Sequence, residues 1–299
     1  CADKSYLKVA VVTGSNKGIG LGIVRELCKR GVGVVYLTAR DTSRGLEAVE
    51  SLKKDNLNPL FHQLEVTDRS SVEAFAEHLA KAHGGIDILI NNAGVVTSNS
   101  LETTYEDSLR VIETNYRSLL TVQEYLFPIL NDNARVINIS SNCGHISNLR
   151  NPFWIKVLTK DDVTRKDIDA FVNWFLNAVR NEALSEKDFA EMSLLAYRIS
   201  KIAVSALTRV QQREVDRGIS VNSLYPGFVK TDMTKNVGDL TMEEASKTPA
   251  YLALDIDQSV TGKYFWFDKA EMDWADPNLE LYCKYEEILN AYNAAMRNQ

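Results

Sequence analysis

The sequence predicts an α/β fold: a doubly wound parallel sheet of about seven strands with helices on both faces. Two observations carry this. Short β-branched runs alternate with amphipathic stretches along most of the chain, and the first run ends in a glycine-rich turn that opens a helix. Strands that alternate with helices pair in parallel through right-handed crossovers, because a right-twisted strand and its crossover pack back onto the sheet in that hand.

The elements follow in order. Lys8–Thr13 (KVAVVT) reads as a buried strand, and Gly18–Arg30 as a helix with Ile19, Ile23, Val24 and Leu27 on one face. Gly33–Ala39 is a second strand and Ser43–Lys54 a second helix. Leu60–Val66 is a third strand, and Ser70–His83 a third helix with Val72, Phe75, Ala76 and Leu79 inward. Ile86–Ile90 is a fourth strand, followed by helical sequence from Thr104 to Leu130. Arg135–Ser140, Ser220–Tyr225 and the short Tyr264–Phe267 complete the set.

Two stretches stand outside this alternation. In the first, about 146–195, Ile168, Phe171, Val172, Phe175 and Val179 fall at helical spacing behind Thr164, a natural N-cap. The second is the tail, about 268–299, where Tyr285, Ile288, Leu289, Tyr292 and Met296 form another amphipathic face. Both are expected to pack onto the sheet. No repeat or low-complexity linker divides the chain, so residues 1–299 are expected to form one domain.

Composition narrows the function classes. With 45% hydrophobic and 25% charged residues, the 299-residue chain is neither disordered nor fibrous. A net charge of −6, from 34 Lys+Arg and 40 Asp+Glu, argues against a nucleic-acid partner. A local basic pocket stays open, because net charge averages over the whole surface. No apolar run approaches the roughly 20 residues that span a bilayer, so no membrane partner is expected. The polar start, Cys1 to Lys8, does not read as a signal peptide. Cys1, Cys28, Cys143 and Cys283 form no CxxC pair, and the four histidines form no HExxH cluster. Neither a metal site nor a disulfide framework is expected, and the implied compartment is reducing and cytoplasmic.

The turn after the first strand reads Thr13-Gly14-Ser15-Asn16-Lys17-Gly18-Ile19-Gly20. Glycines let the backbone approach a pyrophosphate closely, and the helix N-terminus offers free N–H groups and a positive dipole end. Glycines also serve ordinary turns, so position after the first strand carries the weight. Further motifs follow in order: Asn91-Asn92-Ala93-Gly94 at the end of the fourth strand, Asn115 in a helix, Ser140-Ser141 at the end of the fifth, Tyr197-Arg-Ile-Ser-Lys201, and Pro226-Gly227 after the sixth. A lone YxxxK carries little. The ordered set, over about residues 6 to 267, resembles the short-chain dehydrogenase/reductase family and implies a Rossmann sheet binding a nicotinamide dinucleotide.

Which dinucleotide is read at the end of the second strand. An acid there binds the ribose 2′-OH of NAD, and a nearby Arg accommodates the 2′-phosphate of NADP. Ala39 stands where NAD-preferring relatives carry Asp, while Arg40 and Lys17 are placed to bracket a phosphate. NADPH/NADP is therefore the expected cofactor. Asp41 is the competing acid, and both cations are alternatively solvated surface charges. Glu65-Val66 occupies the adenine-side position, where most relatives have Asp and an aliphatic residue.

A carbonyl that accepts hydride develops negative charge on oxygen, so it needs a proton donor and a hydrogen bond. Tyr197 supplies a phenol, too weak an acid at a pKa near 10. Lys201 lies four residues on, on the same helix face, and its charge favours the phenolate. By resemblance, Lys201 also holds the nicotinamide ribose. Ser141 hydrogen-bonds the substrate oxygen, and Asn115 anchors a water that relays protons to Lys201. Adjacent strand residues face opposite ways, so Ser140 and Ser141 cannot both enter the site; the family's usage favours Ser141. Resemblance further implies cofactor contacts from Gly14, Asn16, Gly18, Ile19, Gly20, Asn92, Ala93, Gly94, Pro226, Gly227, Val229 and Thr231.

Phe228 stands where several relatives carry a pocket Trp. Asn142, Cys143 and Phe228 are the pocket candidates beside Ser141. Cys143 either faces the substrate or fills a small buried space, and the second reading is preferred. His145 is read as a polar rim residue.

Most relatives place the Ser and Tyr about a dozen residues apart. Here they stand at 141 and 197. That insertion, with FHQLEV, TAR and Lys230-Thr-Asp-Met233, resembles the monomeric carbonyl reductase subfamily, which includes the plant salutaridine and menthone reductases. The resemblance implies an NADPH-dependent carbonyl reductase acting on ketones, aldehydes or quinones, and a monomer. Two alternatives remain: a dedicated reductase or dehydrogenase for one steroid, prostaglandin, terpenoid or alkaloid carbonyl, and a non-catalytic NADPH-binding sensor. The sensor predicts loss of Ser141, Tyr197 or Lys201, and all three are present.

Overall fold

The computed structural model of the protein describes residues 7–279 and 281. The amphipathic face from Tyr285 to Met296 lies outside the described residues. The first half of the chain runs β1 (Val9–Val12), α1 (Gly18–Lys29), β2 (Val34–Ala39), α2 (Thr42–Lys53), β3 (Leu60–Gln63), α3 (Arg69–His83) and β4 (Ile86–Asn91). It continues with α4 (Tyr105–Ile112), α5 (Ser118–Leu126) and β5 (Leu130–Ile139). Next come α6 (Pro152–Thr159), α7 (Arg165–Arg180) and α8 (Leu195–Glu214). β6 (Ser220–Leu224), α9 (Met242–Leu254), β7 (Tyr264–Phe265) and β8 (Glu271–Met272) follow. No helix among the described residues is long and apolar enough to cross a membrane.

The strands form one sheet in the order β3-β2-β1-β4-β5-β6-β7-β8. The first seven pair in parallel, and β8 adds an antiparallel edge opposite β7, with Tyr264 facing Met272. The expected seven strands thus gain an eighth, too short to read in sequence. The strand order reverses between β1 and β4, and ligands of such sheets sit at that switch point, beyond the carboxyl ends of the strands. Both β1 and β4 are buried throughout, as a strand covered on two faces requires. β3 stops at Gln63 rather than Val66, because the Glu65 N–H turns to Ser71 Oγ and leaves the ladder.

Local chemistry sets the helix ends. Asp41 and Asp68 cap α2 and α3 by accepting from the N–H groups of Arg44 and Ser70. Gly84 ends α3 in the left-handed region, with φ 81°. The helical stretch from Thr104 is interrupted by a π-helical turn, Glu113–Arg117, which joins α4 to α5 and carries Asn115. Such turns are common at functional sites and leave no simple signature in sequence.

The insertion contains two helices, not one. α6 starts at Pro152 behind an Asn151 cap, and α7 behind a reciprocal Thr164–Asp167 capping box. Ile168, Phe171, Val172, Phe175 and Val179 are all buried and share one core with residues of α4 and α8. The Phe171 ring lies 5.5 Å from Trp154 and 6.0 Å from Trp174, centroid to centroid. Phe171→Ala removes this contact and leaves a cavity. It is expected to lower the unfolding free energy by about 3–5 kcal/mol in urea titration; a loss below about 1 kcal/mol would show that α7 lies outside the core.

Candidate active site

The glycine turn after β1 is locked against the end of β4. Asn92 Nδ2 donates to the carbonyls of Thr13 and Gly14, both at 3.0 Å. Thr13 Oγ1 accepts from the N–H groups of Asn92 and Ala93, again at 3.0 Å. There is no room for a side chain at Gly14 or Gly20. A Cβ on Gly14 would lie 2.8 Å from Ala93 Cα, and one on Gly20 would lie 2.4 Å from Asn92 Nδ2 and 2.8 Å from Ser15 Cα. Gly14 and Gly18 also take φ of 58° and 57°, which glycine adopts without strain. Asn16 is half-buried, and Ile19 lies in the first turn of α1, whose N-terminus has no side-chain cap. This cradle fits a pyrophosphate on the exposed N–H groups of α1.

At the adenosine end, Arg40 is exposed just beyond β2. Asp41 is engaged as the α2 cap, accepting from the Arg44 N–H at 2.9 Å, which weakens its claim as the ribose acid. Lys17 Nζ pairs with Asp232 Oδ2 at 2.8 Å, and their side chains are 63% and 71% exposed. Such an exposed pair is weak enough to yield to a phosphate. Glu65 Oε1 accepts from the Thr67 N–H and hydroxyl, and Val66 is buried.

The loop after β6 faces the glycine turn. Pro226 is buried and Gly227 has φ 96°. Val229 is buried and bridges to Leu240, and Phe228 is half-buried. Thr231 Cγ2 would stand 3.5 Å from a Cβ on Gly18.

Around α8 the other predicted residues converge. Lys201 is buried, its Nζ donates to the Ile139 carbonyl at 2.8 Å, and it lies 5.7 Å from the Tyr197 ring centroid. Burial lowers its pKa to about 8, and the nearby Cys143 opposes this more weakly. A Cβ on Gly94 would lie 3.2 Å from Asn115 Oδ1 and 3.6 Å from Lys201 Nζ, so the β4 terminus, the π turn and α8 meet at one point. The Asn115 amide is occupied: Oδ1 accepts from the Val95 N–H, and Nδ2 donates to the Val95 carbonyl and Ser200 Oγ. A water held by Asn115 would therefore use its main-chain carbonyl.

The two serines do face different ways. Ser140 Oγ bonds Ser205 Oγ at 2.7 Å and the Lys201 carbonyl at 3.3 Å, inside α8. Ser141 Oγ instead donates to Asn142 Oδ1 at 2.9 Å and accepts from the Cys143 N–H at 3.2 Å. Cys143 is buried within this turn. His145 is not a rim residue. It is fully buried, with Nδ1 against Ser147 Oγ and Nε2 bonded to the Asp273 carbonyl, both at 2.9 Å, and desolvation lowers its pKa.

A family model described as short chain dehydrogenase matches residues 8–153 and 186–241. This chain belongs to that family. The unmatched interval between the two stretches contains all of α7. The chain is 38% identical to carbonyl reductase [NADPH] 3 of Mus musculus over 258 residues, 84% of this chain and 92% of the relative. It is 37% identical to (+)-neomenthol dehydrogenase of Arabidopsis thaliana over 274 residues, 83% and 91% of the two chains. Among solved structures, salutaridine reductase from Papaver somniferum matches with a TM-score of 0.79 at 32% identity, covering 87% of this chain and 99% of that one.

Sequence reasoning missed three braces on the Ser141 turn. The Tyr264 hydroxyl donates to the Ser141 carbonyl at 2.8 Å, Trp274 Nε1 to the Gly144 carbonyl at 2.6 Å, and His145 reaches Asp273. These partners come from beyond β6, and local spacing carries no signal for them. A cleft of about 830 Å³ beside α5 and α7 holds none of the predicted residues. Its four arginines are paired, Arg69 with Glu124, Arg117 with Glu113, Arg165 with Glu214 and Arg217 with Asp216.

Burial of Lys201 gives a pH signature. Between about pH 8 and 10.5 the folded state binds fewer protons at this site than the unfolded state, so wild-type stability gains as pH rises through that window. Lys201→Met removes the effect. Its stability relative to wild type is expected to fall between pH 7 and pH 10.5 by an amount on the order of 3 kcal/mol, read by denaturant melts; a constant difference overturns the burial argument.

Proposed function

We propose that this dehydrogenase reduces ketones, aldehydes or quinones to alcohols with NADPH, Tyr197 giving the proton. The observation that carries the reading is the buried Lys201 ammonium 5.7 Å from the Tyr197 ring, beside the glycine cradle. When bound, NADPH supplies hydride to the carbonyl carbon. Gly14, Asn16, Gly18, Ile19 and Gly20 would carry its pyrophosphate, and Asn92, Ala93 and Gly94 would line the adjoining strand end. Arg40 would fork onto the 2′-phosphate, and Lys17 would exchange Asp232 for it. Glu65 and Val66 would meet the adenine. Pro226, Gly227, Val229 and Thr231 would meet the nicotinamide.

Tyr197 donates its hydroxyl proton to the oxygen as negative charge grows there, and Ser141 donates a hydrogen bond to the same oxygen. Lys201 keeps the resulting phenolate low in energy, because a cation in a water-poor site acts with little screening. Reprotonation runs through Lys201 and a water on the Asn115 carbonyl. Asn142 and Phe228 border the substrate, while Cys143 fills the turn after Ser141. The neomenthol and salutaridine relatives support a second reading, a dedicated terpenoid or alkaloid reductase. A carbonyl panel with NADPH separates the two, as one compound dominating kcat/KM marks the dedicated enzyme. We further infer a monomer, since α7 lies across α4 and α8.

Oxidation of NADPH with a reactive quinone should fall at least 100-fold in Tyr197→Phe, and equal rates sink the mechanism. Arg40→Ala should lose its preference for NADPH over NADH, and an unchanged ratio counts against the phosphate assignment. Light scattering should return a mass near the chain's 33.6 kDa; about twice that value refutes the monomer.

A further inference from the structure

Helix α8 carries a second buried cation, one that the proposed chemistry does not use. Arg198 directly follows Tyr197, is 2% exposed, and is the bulkiest of the fully buried side chains among the described residues. A guanidinium removed from water needs several acceptors in fixed directions. Its Nε donates to the Ser193 carbonyl at 2.8 Å, and its Nη1 donates to Asn148 Oδ1.

Each partner lies beside a proposed active group. Ser193 precedes Leu194, which enters α8 in the left-handed region at φ 53° without a side-chain cap. A β-carbon makes that conformation unfavourable, so a bond that bridges it helps to hold the entry to Tyr197. Asn148 passes the connection on. Its Nδ2 donates to the carbonyls of Asn142 and His145, both at 2.9 Å, within the turn that follows Ser141. The path Ser193–Arg198–Asn148–Asn142 thus ties the start of the Tyr197 helix to the Ser141 turn. That turn lies beyond β5, so strand pairing does not position it. Tyr264, Trp274 and Asp273 brace it from the segment after β6, and Arg198 braces it from the Tyr197 side.

We propose that Arg198 is a positioning residue that holds Ser141 and Tyr197 in register, so that both reach one carbonyl oxygen. The proposal rests on the reading of those two residues given above. An ammonium cannot replace it, because a single point charge on a shorter stem does not span both partners in the guanidinium's fixed fork.

The test compares kcat, KM and NADPH affinity by fluorescence titration for wild type, Arg198→Met, Arg198→Lys, Asn148→Ala and the Arg198→Met/Asn148→Ala double variant. Met keeps the stem length and suits an apolar site. NADPH affinity is expected to stay within about twofold, since the glycine cradle is untouched. The kcat of each single variant is expected to fall about 10- to 100-fold, the scale of an ångström-sized misplacement. The double variant should be no slower than the worse single one, because one path is cut twice. Ser141→Ala should also reduce kcat less in the Arg198→Met background than in wild type, a coupling that a merely structural role would not produce. Folded Arg198→Met with kcat within twofold of wild type, or losses that multiply, overturn the proposal. If Arg198→Met does not fold, Asn148→Ala decides by the same kcat criterion. A wild type that reduces no carbonyl overturns the functional reading and this proposal together; active wild type with active variants overturns the proposal alone.

Discussion

The close approach of the β1 and β4 ends governs this structure. Gly14 comes so near Ala93 that a methyl group would not fit, and Asn92 satisfies the Thr13 and Gly14 carbonyls that this approach would otherwise strand. The contact is steric and polar at once, so it holds the turn in one conformation. Two residues further along, Gly94 brings Asn115 and Lys201 together. The geometry that opens a cradle at the switch point therefore also fixes where the phenol and the ammonium of α8 can stand.

The second constraint is charge buried under apolar cover. Lys201 and Arg198 sit in a helix whose own residues Ile199, Ile202, Ala203 and Val204 are all nearly inaccessible. Cations there are tolerated because carbonyls receive them: Ile139 for Lys201 and Ser193 for Arg198. The insertion helps to provide the cover. Phe171, Val172, Phe175 and Leu176 of α7 share the core that encloses α8, so the added segment is part of what keeps the helix's polar groups away from water. The tyrosine's environment and the surplus chain length are thus connected through packing.

Much of the fold was legible because its signals are local. Val9–Val12 reads as a doubly covered strand from its β-branched residues, and α7 reads from the spacing of Ile168 to Val179 behind the Thr164 cap. The misses share a cause, which is dependence on partners distant in sequence. The π turn at Asn115, the two-residue β8 and the buried His145 have no periodicity to betray them. His145 reads as a rim residue in sequence because Tyr197 already fills the acid–base role. Its acceptor, the Asp273 carbonyl, is 128 residues away. Likewise Lys17 reads as a phosphate ligand in the glycine turn, yet its partner in this structure is Asp232, 215 residues on.

The sequence by itself determined the order of the seven parallel strands and of the helices other than α6 and α9, the glycine turn, the family, and the candidates Ser141, Tyr197 and Lys201, because hydrophobic period, glycine placement and motif order act over a few residues. Only the tertiary structure decided that Ser140 turns into α8 while Ser141 does not, that the Asn115 amide is already engaged, and that Arg198 lies buried between Ser193 and Asn148. These are questions of which groups meet. A hydrogen bond requires a partner within about 3 Å, and that partner is supplied by chain folding back from far away in sequence.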